Sequence, residues 1–112
     1  MAETIPVRPR KGAGAAEKSD PKPPKHLSLA SKRLWAEVVQ QWSLGPDGLA
    51  LLENGLESRD SYEICRRQVE LDGPTFKSET GQIRAHPAGK LALDYLSAFR
   101  QSLRQLGLAP EE

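Results

Sequence analysis

Few side chains in this sequence suit covalent or acid–base chemistry, and their surroundings favour quieter roles. His86 could act as a general base, but it stands directly before Pro87, where a capping or turn role fits better. Cys65 could act as a nucleophile, yet it falls on an apolar helical face with no histidine near it in sequence, so a small buried hydrophobe is expected. Asp60 and Glu63 are like charges three residues apart, a pattern more often solvated than catalytic, and Glu63 lies one turn from Arg66 and Arg67. The single cysteine rules out an internal disulfide and, with only His26 and His86 beside it, an ordinary zinc site. No glycine-rich loop ends in Gly-Lys-Ser/Thr, so nothing points to ATP hydrolysis by this chain. Neither catalytic residues nor a cofactor or metal are expected.

Positive charge is the more informative chemistry. Arg8, Arg10, Lys11, Lys18, Lys22 and Lys25 crowd the first 26 residues against three acids, while residues 27–112 carry ten cations against twelve acids. Such an arm can track a phosphate backbone, because each phosphate it neutralises releases condensed counterions; it can equally be a solubilising tail. Lys32 and Arg33 extend the basic surface into the folded part, and Lys77 with Arg84 form a weaker third group. The formal net charge of +1 is too small to signal nucleic acid by itself. Repetition of the same cations around a ring would concentrate them.

The elements that must carry these residues follow from local signals. Residues 1–26 hold five of the nine prolines and read as a disordered basic tail. Ser28 is a plausible N-cap for a helix in which Leu34, Trp35, Val38, Val39 and Trp42 share a face, ending near Trp42. Pro46 or Asp47 opens a second, long helix that meets no strong breaker until Asp72, Gly73 and Pro74. Gly55 inside it marks a bend or a close crossing. Leu49, Leu52 and Leu56 lie on one side of this helix, whereas Leu51, Tyr62, Cys65 and Val69 lie on another. Its second half therefore packs either on another part of the chain or on a neighbouring subunit, with Tyr62, Cys65 and Val69 as the candidate oligomer interface.

Thr75 to Ala85 reads as a short β-hairpin turning near Thr80 and Gly81, leaning on the helices through Phe76 and Ile83. Pro87 then starts a final helix that Gly107 stops, with Leu108 folding back and Pro110 preventing continuation. The fold class is mainly α: three helices, the central one long, with a small hairpin before the last. Trp35, Val39, Leu52, Leu91, Tyr95 and Phe99 are the expected protomer core. A helix-turn-helix reading is disfavoured by its own residues, since Asp47, Gly48 and Leu49 at the start of the second helix include an acid and offer no Arg, Asn or Gln for base edges. No apolar run approaches the ~20 residues needed to span a bilayer and no secretion signal is apparent, so no membrane partner is expected. A chain of 112 residues buries a modest core, and self-association would help its stability.

Four landmarks in order carry a family resemblance. LSLASKRLWAEVV, GPDGLALLENGLESRDSYEICRRQVELDG, TFKSETGQIRAHP and LGLAP together resemble the small terminase subunits of tailed bacteriophages, in particular the P27-type branch. Gly48 and Gly55 depart from the better helix formers usual there. The resemblance covers residues 27–110 and makes 27–112 an oligomerisation and DNA-binding domain. It implies a non-catalytic packaging subunit that forms a ring-like homo-oligomer in the host cytoplasm, binds viral double-stranded DNA, and delivers it to the terminase large subunit, which owns the ATPase and nuclease. A helical adaptor that binds only protein is the alternative.

Overall fold

The computed structural model describes residues 20–108 and, ahead of them, the backbone of Arg8–Pro9. In chain order the elements are β1 (Arg8–Pro9), α1 (Leu29–Gln41), β2 (Trp42–Ser43), α2 (Pro46–Asp72), β3 (Thr75–Lys77), β4 (Ile83–Ala85) and α3 (Pro87–Leu106). β1 pairs antiparallel with β2, and β3 with β4. Arg10, Lys11 and Lys18 lie outside the described residues.

Each helix begins and ends where local chemistry permits. Ser28 caps α1, its hydroxyl accepting from the Ser31 amide at 3.2 Å. Pro46 occupies the first turn of α2, where a missing amide hydrogen costs nothing. Gly73, at φ 85°, ends α2 and donates its amide to the Val69 carbonyl. His86 caps α3 through Nδ1, which accepts from the Ala88 amide at 3.0 Å. Gly107 closes α3 in the left-handed conformation, its amide bonding the Arg104 carbonyl while that of Leu108 bonds Leu103. These two bonds form the closing motif that Gly107 and Leu108 foreshadow in the sequence.

The central architecture is an antiparallel pair, α2 against α3, joined by the β3–β4 hairpin. Their closest approach rests on small residues: a Cβ added at Gly55 would come within 2.8 Å of the Ser102 Cβ. Gly55 thus marks a close crossing. α1 lies across the first half of α2, and Leu27, Trp35, Val39, Leu52, Leu56 and Leu106 form the core where α1 meets both helices. Leu34, Leu49, Phe99 and Leu108 pack around it.

Two expectations need correction. Leu91 is 47% exposed rather than core, because the buried line of α3 runs through Ala92, Ser102 and Leu106. Tyr95 and Phe99 flank that line, half-buried. Small side chains win the central positions because close approach of two helices leaves no room for large ones. Phe76 and Ile83 do not anchor the hairpin either: both are exposed. Phe76 sits opposite Arg84 and Ile83 opposite Lys77, so the two apolar residues fall on opposite faces of the ribbon. The hairpin is held instead by its turn, where the Gly81 amide bonds Ser78, and by the His86 amide on the Pro74 carbonyl.

Candidate nucleic-acid interface

The segment leading into α1 is fastened to the helices at four points. The Trp35 indole donates to the Pro21 carbonyl at 2.9 Å, and the His26 Nε2 lies 2.7 Å from a Glu57 oxygen. Leu27 is buried, and Ser28 meets Asp60 through both its amide, at 2.8 Å, and its hydroxyl, at 2.6 Å. This path carries Lys22 and Lys25 towards α1, both exposed. On α1, Arg33 is exposed and Lys32 half-buried. None of these four cations forms an ion pair among the described residues.

Asp60 is the residue whose role local sequence reading misses. It is not merely solvated: besides both Ser28 bonds, it accepts from the hydroxyl of fully buried Ser31 at 2.6 Å. Burial alone would raise its pKa, but the bonds from Ser28 and Ser31, with the nearby Arg59 charge, outweigh it and hold the carboxyl below its ordinary value of 3.8. Asp60 therefore clamps the start of α1 to α2. The only advance signal was a carboxylate on the α2 face that continues Leu49 and Leu56.

His86 bears out the capping role. Because Nδ1 accepts an amide hydrogen, the ring proton of the neutral form sits on Nε2, which donates to Asp72 at 2.8 Å. A bond from Gln68, then one from His86, lowers the Asp72 pKa. Both imidazole nitrogens are occupied by structural contacts. Glu63 pairs with Arg66 at 3.1 Å, and Arg66 also meets Glu70.

Tyr62, Cys65 and Val69 are half-buried. Tyr62 and Val69 continue the spacing of Gly48, Leu52, Gly55 and Arg59 along the side of α2 that faces α3, so much of their covered surface belongs to the same chain. Ile64 and Leu71, 67% and 81% exposed, sit on a different side of the helix. At the start of α2, Gly48 is buried, and a Cβ there would press on Leu44. Lys77 and Arg84 lie exposed on the hairpin, Arg84 bonding Gln82 at 3.1 Å. Among the described residues, no helix is long and apolar enough to cross a membrane.

Geometry thus defines a small helical module, with α1 clamped across an antiparallel helix pair and unpaired cations on α1 and the segment that leads into it. Residues 31–112 match the family model described as phage terminase, small subunit, and the chain belongs to that family. Searches of curated proteins and of solved structures return no match. Membership assigns it a role in phage genome packaging.

Proposed function

We propose that this chain recognises viral double-stranded DNA as a ring-like homo-oligomer and delivers it to the terminase large subunit in the host cytoplasm, without catalytic activity of its own. The observation that carries this reading is the set Lys22, Lys25, Lys32 and Arg33, carried by α1 and the segment fastened ahead of it and unpaired among the described residues. Arg8, Arg10, Lys11 and Lys18 precede them in the sequence and extend the same charge. Contacts of this kind bind phosphates and read duplex shape rather than base edges. Copies arranged around an axis multiply a weak cationic patch into useful affinity. Tyr62, Cys65 and Val69 remain the proposed subunit contact through the surface that α3 leaves open.

Gel shifts with phage-derived and unrelated duplexes at two salt concentrations test the reading. A DNA-binding subunit gives a shift that weakens steeply with salt, whereas a protein-only adaptor gives none. Light scattering coupled to size exclusion tests assembly, and a strict monomer at high concentration would refute the ring.

A further inference from the structure

We infer that His26, Glu53 and Glu57 form a binding site for a divalent cation, with Zn2+ the best fit to the donor set. One ligand atom from each residue lies within 4.8 Å of the other two. Glu53 and Glu57 stand one helical turn apart on α2, which sets their carboxylates side by side. His26 arrives from a separate segment, its Nε2 already 2.7 Å from Glu57. That delivery does not depend on an ion, since buried Leu27, the Ser28–Asp60 bonds and the Trp35–Pro21 bond fix the backbone on either side.

Charge supplies a second, independent reason. Glu53 has neither a hydrogen bond nor an ion pair among the described residues, and the partner of Glu57 is an imidazole rather than a Lys or Arg. Two carboxylates held together without a fixed cation repel each other, and a divalent ion between them removes that repulsion. One imidazole nitrogen with two carboxylate oxygens suits a borderline ion such as Zn2+, while Mg2+ prefers an all-oxygen octahedron. Tetrahedral bonds of about 2.0–2.1 Å set the donor atoms about 3.3 Å apart, so the His26–Glu57 pair at 2.7 Å opens slightly while any donors as far apart as 4.8 Å close up, which rotation of partly exposed carboxylates allows. Three protein ligands leave a fourth position for water or an external group. Counting only cysteine and histidine hides this site, because two of its ligands are carboxylates. Loaded, it would replace a single exposed hydrogen bond with coordination and tie the segment bearing Lys22 and Lys25 to the middle of α2.

The test uses the full chain without an affinity tag, stripped with a chelator that is then removed. It is titrated with ZnCl2 in a calorimeter and melted with and without Zn2+ or Mg2+. The expected result is one Zn2+ per chain and a melting temperature raised by roughly 10 °C at a hundredfold excess over Kd. Glu53→Gln and His26→Ala should each weaken binding at least tenfold. Glu53→Gln is the sharper variant, because Glu53 has no hydrogen bond or ion pair to lose among the described residues and its metal-free melting should be no lower than the parent's. No binding, unchanged affinity in either variant, or equal stabilisation by Mg2+ would overturn the site.

Discussion

At Asp60, one carboxylate accepts three hydrogen bonds at the start of α1, and bonds to a charged acceptor contribute about 1.5–3 kcal/mol each when they are well formed. Asp60→Asn should therefore lower stability by about 2 kcal/mol in urea denaturation at neutral pH. Because the folded pKa is depressed, this contribution is fully present above the ordinary value of 3.8 and is lost as pH falls through the lowered one. The gap between the parent and the variant should stay constant down to about pH 5 and close on further acidification. A gap independent of pH would show that packing, not charge, holds the clamp. His86 makes a second prediction. His86→Ala, which removes the cap on Ala88, should cost about 1 kcal/mol, and His86→Asn, which can still cap, should recover most of it in thermal melts.

Between elements, the contact of α2 with α3 turns on one missing side chain. Gly55→Ala gains up to about 1 kcal/mol of helix propensity but drives a Cβ to 2.8 Å from Ser102, an overpacking that costs roughly 1–3 kcal/mol. The net expectation is a lower melting temperature. Gly89→Ala is its control, because nothing lies within 4 Å of the added methyl, so no overpacking offsets the propensity gain, which is smaller in the first turn of α3. Equal effects at the two sites would dismiss the close crossing.

The same helices show what local sequence can and cannot disclose. Ser28, Pro46, Gly73, Pro87 and Gly107 set element ends through chemistry within a few residues, and all five act where their types indicate. Leu91 misleads because periodicity weighs size, whereas the tight helix pair selects Ala92 and Ser102 for its centre. Asp60 with Ser28, and Glu57 with His26, join residues more than thirty positions apart, so no local pattern could announce them. The cations of the candidate DNA surface were visible by composition. Their fastening beside α1 was not, since it depends on Trp35 reaching back to Pro21.

For the whole molecule, the electrostatic reading makes a quantitative demand. Each of Lys22, Lys25, Lys32 and Arg33 that contacts a phosphate should flatten the slope of log affinity against log salt by about 0.9 when replaced by alanine. Fluorescence anisotropy over a salt series measures it, and an unchanged slope in the fourfold variant would move the DNA contact elsewhere.

The described core gathers at one end, where α1, the first half of α2 and the last turns of α3 converge on Leu106, which is wholly inaccessible. Around the β3–β4 ribbon at the other end, the large apolar residues Phe76, Ile83 and Leu71 face water instead. Cohesion is therefore graded along the rod. Amide hydrogens near the ribbon should exchange with deuterium well before those of Val39 or Leu56, and the tip should unzip as a unit while the α1 end stays shut.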